Sequence, residues 1–77
     1  MSPEKQGICR TILEEERRQL AANRAMLASL PISQAERRDA RDELLVRVCA
    51  WVSKCLWIAD ISPQEFGTFR YETLRPA

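Results

Sequence analysis

The side chains in this chain that could perform chemistry are few. There are three cysteines, Cys9, Cys49 and Cys55, and no histidine. Cys49 and Cys55 lie six positions apart, whereas zinc-binding cysteines are usually separated by two to four residues. An odd number of thiols, with no apolar secretory segment near the N-terminus, predicts free cysteines in a reducing, cytoplasmic setting. The sequence predicts neither a metal site nor a cofactor.

Acid–base catalysis is also poorly supported. Without histidine, a general base would have to be a carboxylate, a lysine or a cysteine. Glu16 is the only carboxylate on the apolar seam of its helix, and an ion pair with Arg47 or with a neighbouring chain explains it better than catalysis does. The chain has only two glycines and no phosphate-binding loop. The sequence therefore predicts a protein that is not an enzyme.

Arginine dominates the cationic residues, since Lys5 and Lys54 are the only lysines among twelve. Six arginines form two groups on predicted helices: Arg10, Arg17, Arg24, and Arg37, Arg38, Arg41. They could neutralise phosphates, so a small arginine-rich nucleic-acid-binding regulator is the alternative function. Eleven acidic residues and a net charge of +1 argue against nucleic acid, and arginine is also common at protein interfaces.

Three capping signals place these residues on helices. Ser2-Pro3-Glu4 and Ser33-Gln34-Ala35-Glu36 start two long helices, about 3–28 and 34–61, and Pro31 ends the first. Ser62-Pro63-Gln64-Glu65 starts a short helix, about 63–66, that stops near Gly67 and leaves a tail over 68–77.

The predicted fold is a single all-α domain, 1–77, built on an antiparallel helical hairpin with a turn near 29–33. The end near the turn is predicted to be polar, because Asn23 lies level with Arg41.

The run from Leu44 to Ile61 is long enough to span a bilayer, but three charged residues within it would each cost about 2.5–3.5 kcal/mol, so no membrane span is predicted. A lone hairpin would leave much apolar surface exposed to solvent. The sequence therefore predicts a homodimer that forms a four-helix bundle. The predicted self-association residues are Leu13, Leu20, Leu27, Leu45, Val48, Trp51, Val52 and Cys55.

The second long helix carries more apolar surface than one neighbour can cover. Beside its broad apolar face lies a separate patch of Val46, Ala50, Trp57 and Ile61. Either the C-terminal aromatic residues or another protein should cover that patch. Tryptophan and arginine are enriched in interface hot spots, so the predicted partner-binding residues are Trp57, Phe66, Phe69, Tyr71, Arg17 and Arg24.

The predicted function is that of a small protein-binding module that regulates, inhibits or escorts a larger protein by occluding one of its surfaces. In architecture alone, the helical hairpin resembles the small co-chaperones of bacterial secretion systems and the small phage proteins that block host regulators or defences. That resemblance implies a protein that acts by occluding a surface on a larger protein, and exchange of its own dimer contacts for heteromeric ones is one way in which it could do so. The polar seam residues Glu16 and Asn23 agree with such an exchange, because buried polar positions lower the stability of self-association while fixing its register.

Overall fold

The computed structural model describes residues 1–76 of the chain. These residues form three helices, α1 (Pro3–Ser29), α2 (Gln34–Ile58) and α3 (Pro63–Leu74), and contain no strand. α1 packs against α2, and α3 packs against both. The predicted all-helical fold with two long paired helices is confirmed. Of the predicted tail 68–77, Ala77 lies outside the described residues.

The start of α1 follows its capping signal. The Ser2 hydroxyl accepts a hydrogen bond from the backbone N–H of Lys5 at 3.2 Å, and Pro3 occupies the first helical position, where its missing N–H is not needed. The helix ends at Ser29. Leu30 has an extended backbone, as expected for the residue before a proline.

Arg37 organises the turn between α1 and α2. Its Nε donates to the carbonyl oxygen of Leu27 at 2.9 Å, and its Nη2 donates to the carbonyl oxygens of Leu30 at 2.9 Å and Ile32 at 3.3 Å. Carbonyl groups at a helix C-terminus lack partners within the helix, so this guanidinium serves as the C-terminal cap of α1. The capping box of Ser33 and Glu36 then begins α2.

α2 ends three residues earlier than the sequence predicts. Asp60 has a φ of 57°, the backbone N–H of Asp60 donates to the carbonyl of Trp57 at 3.2 Å, and that of Ile61 donates to the carbonyl of Leu56 at 2.9 Å. These two bonds form a Schellman motif. Glycine usually occupies the left-handed position at the end of a helix. Because Asp60 occupies it here, the sequence contained no recognisable signal for the end of α2. Lys5 Nζ supports the motif by donating to the carbonyl oxygen of Asp60 at 2.7 Å.

α3 is longer than predicted, because it continues through Gly67 to Leu74. A glycine inside a helix costs roughly 0.5–1 kcal/mol relative to alanine. Packing on both sides of Gly67 offsets that cost: Phe66 is buried in the core, and Phe69 packs against the core. Tertiary packing therefore overrides the local stop signal.

The core lies at the end of the hairpin away from the turn, where all three helices meet. Eight buried residues form it: Cys9, Ile12, Leu13, Val48, Val52, Leu56, Ile61 and Phe66. The molecule measures 46 × 30 × 16 Å, and its thinnest dimension is less than two helix diameters of about 10–12 Å. Helix faces that point away from this core are therefore close to solvent. Within the described part of the chain, no helix is both long and apolar enough to cross a bilayer.

Candidate functional site

The outward face of α2 carries an uncovered apolar surface. Trp57 is 83% exposed, and Val46 and Ile58 are each 68% exposed. Val46, Ala50 and Trp57 follow one another at helical spacing, so they line the side of α2 opposite the core. We call Val46, Ala50 and Trp57, together with Ile58 on the flank about 100° around the helix from Trp57, the Trp57 surface. A tryptophan this exposed is unusual, since tryptophan is highly buried on average.

Ile61 was expected in the same patch, but it is buried at 3% exposure. The cause is the Schellman motif at the end of α2, which turns the chain before Ile61 and directs this side chain into the core beside Leu56. Ile58 takes its place as the exposed aliphatic residue next to Trp57.

The C-terminal aromatic residues leave the Trp57 surface uncovered. Phe66 is buried in the core of this chain, so it is not available to a partner, and Phe69 is half-buried against the same core. Tyr71, on α3, is 68% exposed. Of the predicted aromatic contact residues, only Trp57 and Tyr71 are therefore largely accessible.

The residues predicted for self-association have several different environments. Leu13, Val48 and Val52 are buried in the core within one chain, and Leu27 is buried near the turn. Leu20, Trp51 and Cys55 are partly buried against the core, and Leu45 is largely exposed. Part of the burial that the sequence assigned to a second copy is supplied within the chain, where α1, α2 and α3 pack against one another.

A second surface feature lies beside the turn, between the end of α1 and the start of α2. It is a groove of about 470 Å³, which we call the tip groove. Its apolar lining includes four leucines, and four arginines lie along it. These residues are Leu20, Leu27, Leu44, Leu45 and Arg24, Arg37, Arg38, Arg41. No residue of α3 and no acidic residue lines it. The sequence predicted a polar tip and missed this groove, although leucines and arginines in both flanking segments were a signal for it.

The four arginines of the tip groove differ in their contacts. Arg37 is held by three carbonyl oxygens at the turn, and Arg41 Nε lies 3.8 Å from the Asp42 carboxylate in an exposed pair. Arg24 and Arg38 have no hydrogen bond or ion pair within residues 1–76. Arg17, the other predicted partner-binding arginine, is exposed on α1 outside the groove.

The buried carboxylate of the fold, that of Glu16, is held in an ion pair. Glu16 is buried and accepts hydrogen bonds from both terminal nitrogens of Arg70 on α3. The sequence proposed Arg47 as its partner, but Arg47 Nη2 lies 3.2 Å from Glu43 instead. Arg70 was missed because it lies 54 positions away along the chain, beyond any helical periodicity.

The cysteines offer no activated nucleophile at the core. Burial raises the pKa of the Cys9 thiol, and the nearby Glu65 carboxylate raises it further, so the thiolate form is disfavoured. Cys49 is exposed and Cys55 half-buried, and all three thiols are free. Among residues 1–76, no three acidic or cysteine side chains cluster as a metal site would require.

Comparison with protein-family models, with curated proteins and with solved structures gave no match for this chain. Its function is therefore argued from the Trp57 surface and the tip groove themselves.

Proposed function

We propose that this chain is a small, non-enzymatic protein-binding module that acts by covering a surface of a larger protein through the Trp57 surface. The observation that carries the proposal is the 83% exposure of Trp57, on a helix that also leaves Val46 and Ile58 each 68% exposed. Leaving apolar area in water costs about 25 cal/mol per Å², and tryptophan is among the residues most enriched in interface hot spots.

The total surface of the chain supports a partner-bound state. Its accessible area is 5900 Å², whereas a compact monomer of 8.9 kDa is expected to expose roughly 4,800 Å². The excess is comparable to the roughly 800 Å² that one partner contributes to an interface of standard size. A protein partner on α2 would remove both this excess and the exposed tryptophan.

A binding role also agrees with the environments of the titratable groups. Glu16 is engaged by Arg70, and the raised pKa of Cys9 opposes nucleophilic use of its thiol. The tip groove is lined by arginines, with no carboxylate, cysteine or lysine to act as a general base. These features favour recognition over catalysis.

A nucleic-acid-binding role is less well supported than a protein-binding one. Four of the guanidinium groups are already engaged within the chain: Arg18 by Glu15, Arg37 by backbone carbonyls, Arg47 by Glu43 and Arg70 by Glu16. The exposed apolar side chains of the Trp57 surface have no role in neutralising phosphates.

Self-association into a four-helix bundle remains a prediction of the sequence. Its main support was the need to cover the hairpin, and α3 meets part of that need by packing against both α1 and α2. A dimer would now have to use the Trp57 surface or the tip groove. The cytoplasmic setting also remains an expectation, supported by the free, exposed thiol of Cys49.

In-cell photo-crosslinking tests the proposal directly. Benzoylphenylalanine replaces Ile58 in one variant and Val46 in another, and Glu14, exposed on α1, carries the same group as the matched control. We expect irradiation of the producing cells to give a discrete adduct heavier than twice the 8.9 kDa of the chain from positions 58 and 46, and none from position 14. Trp57→Ala should abolish the adduct while the circular dichroism of the purified variant stays unchanged.

Three results would count against the proposal. Adducts at the mass of a homodimer alone would assign the Trp57 surface to a second copy of the chain. Equal adducts from positions 58 and 14 would indicate unspecific contact. Loss of helicity in Trp57→Ala would instead show that Trp57 stabilises the fold, despite its exposure.

A further inference from the structure

The tip groove is a place between two helices that the chain itself leaves unfilled. α3 packs on the hairpin near the core, and its Arg70 lies level with Glu16 on α1. The groove begins at Leu20, one turn beyond Glu16, and extends along α1 to Ala28. We infer that the tip groove binds an acidic amphipathic helix of another protein.

The apolar part of the groove fits the side chains of a helix. Leu20, Leu27, Leu44 and Leu45 line it, and its volume of about 470 Å³ lies within the roughly 300–1,000 Å³ of typical ligand sites. The α1 segment from Leu20 to Ala28 rises about 12 Å, or a little over two helical turns. A helix laid in this groove would present two or three apolar residues at i, i+3 or i+4 and i+7, which is the recurring mode of helix-in-groove recognition.

The charge of the groove selects an acidic ligand. Four arginines line it and no acidic residue does. Arg24 and Arg38, without ion-pair partners in residues 1–76, are the two that can turn toward a carboxylate. Arginine forms forked, paired hydrogen bonds with carboxylates. Glutamates or aspartates flanking the apolar stripe of the bound helix would meet Arg24 on one side and Arg38 on the other.

Other occupants fit less well. A second copy of this chain, related by a two-fold axis, would bring the same four arginines against one another, and like charges placed together disfavour association. Single-stranded nucleic acid would use the arginines, but it binds by stacking its bases on aromatic side chains. The groove is lined by leucines and no aromatic residue.

This inference uses residues different from those of the Trp57 surface. Val46 of the Trp57 surface directly follows Leu45 of the groove, but Trp57 itself lies twelve positions from Leu45, about 18 Å along the helix axis. The two surfaces can therefore be disabled separately, and failure at one does not imply failure at the other.

The test uses the full chain and two synthetic peptides of roughly four helical turns, about 14 residues. Both peptides carry leucines at helical spacing, one flanked by glutamates and the other by lysines at the same positions. Fluorescence anisotropy measures their affinities. We expect the glutamate peptide to bind at least about tenfold more tightly than the lysine peptide, with affinity falling as salt is raised. Backbone amide resonances of Leu20, Leu27 and Leu44 should shift on binding.

Variants then assign the binding to the groove. The double variant Arg24→Ala/Arg38→Ala should bind the glutamate peptide about tenfold or more weakly than the unmodified chain does. Arg10→Ala/Arg47→Ala removes the same charge from exposed positions outside the groove and should have little effect. Trp57→Ala should bind the peptide as well as the unmodified chain does. Arg37 is left unchanged because it caps α1.

Several outcomes would overturn the inference. These are no saturable binding of the glutamate peptide up to about 1 mM, equal affinity for both peptides, or equal losses in the two arginine double variants. Displacement of the peptide by a single-stranded oligonucleotide that shifts the same resonances would assign the groove to phosphate. Displacement by the fatty acid laurate at lower concentration than the peptide would assign it to a small anionic amphiphile.

Discussion

The guanidinium of Arg70 forms a paired hydrogen bond with the carboxylate of Glu16 and so joins α3 to α1. Arg70 Nη1 donates to Oε1, and Nη2 donates to Oε2 at 2.9 Å. The Glu16 side chain is 7% exposed and that of Arg70 is 38% exposed. The same guanidinium lies 4.9 Å from the centroid of the Phe66 ring, which allows a cation–π contact. One arginine therefore neutralises a buried charge and holds α3 on the hairpin.

Arg70→Met should destabilise the fold by about 2 kcal/mol, because it leaves the Glu16 carboxylate buried without a partner. The value lies below the about 3–5 kcal/mol of fully buried pairs because Arg70 is more than a third exposed. The double variant Glu16→Leu/Arg70→Met should regain most of the lost free energy of unfolding, because an apolar pair leaves no buried charge without a partner. Urea unfolding of the unmodified chain, the two single variants and the double variant measures the coupling free energy between Glu16 and Arg70. A coupling near zero would show that the pair does not join the helices in solution.

Asp60→Gly should raise the free energy of unfolding by about 0.5–1 kcal/mol, because glycine takes positive φ without steric cost. The Asp60 side chain is fully exposed and lies 3.9 Å from Lys5 Nζ, so losing that ion pair costs little. Lys5 still donates to the backbone carbonyl of residue 60. Asp60→Ala is the matched control and should lower stability, measured by thermal unfolding. Equal effects of glycine and alanine would contradict the Schellman end of α2.

Gly67→Ala distinguishes a continuous α3 from a helix that stops near Gly67. A Cβ built at Gly67 meets nothing within 4 Å, and its φ is not positive. Alanine should therefore stabilise the chain by about 0.5–1 kcal/mol. If the helix instead ended there with Gly67 in the left-handed conformation, alanine would destabilise it. Gly7→Ala in α1 has equally open space and serves as the control.

Stability should fall as the pH drops below 4.5, through three carboxylates whose pKa is lowered in the folded chain. Hydrogen bonds from Arg18 and then Gln19 lower the pKa of Glu15 from 4.5 to about 2. Hydrogen bonds from Ser33 and Ser62 in the two capping boxes lower the pKa of Glu36 and Glu65. A carboxylate with a lowered pKa stabilises the folded state above its ordinary pKa, and this stabilisation is lost as the pH falls through the lowered value.

Urea unfolding at a series of pH values measures this loss. The variant Glu15→Gln/Glu36→Gln/Glu65→Gln should show a flatter decline below pH 4.5 than the unmodified chain. Glu14→Gln, at an exposed position of α1, is the control and should keep the full slope. Parallel curves for the triple variant and the unmodified chain would contradict the assigned hydrogen bonds.

Local signals in the sequence were sufficient for the helix starts. Ser2, Ser33 and Ser62 each cap a helix as predicted, and Pro31 marks the end of α1. Helix ends were harder, because an aspartate takes the place of glycine at the end of α2, and because Phe66 and Phe69 packing carries α3 past Gly67. The second of these depends on tertiary contacts that a local pattern does not contain.

The candidate surfaces were predictable to different degrees. Helical periodicity placed Trp57 on the side of α2 away from the hairpin, where it is found exposed. Phe66 was misplaced because its burial depends on where α3 docks. The tip groove was missed because its leucines come from two segments that meet only in the folded hairpin.

The most direct test of the central claim is the fluorescence of Trp57 in a Trp51→Phe variant, which leaves Trp57 as the only tryptophan. Emission and quenching by iodide are recorded for the purified chain over a range of concentrations, and again after addition of the protein identified by crosslinking. We expect water-like emission and free quenching at every concentration, followed by a blue shift and protection when the partner is added. Emission already blue-shifted and protected in the purified chain would contradict it, because this chain or a second copy would then cover Trp57.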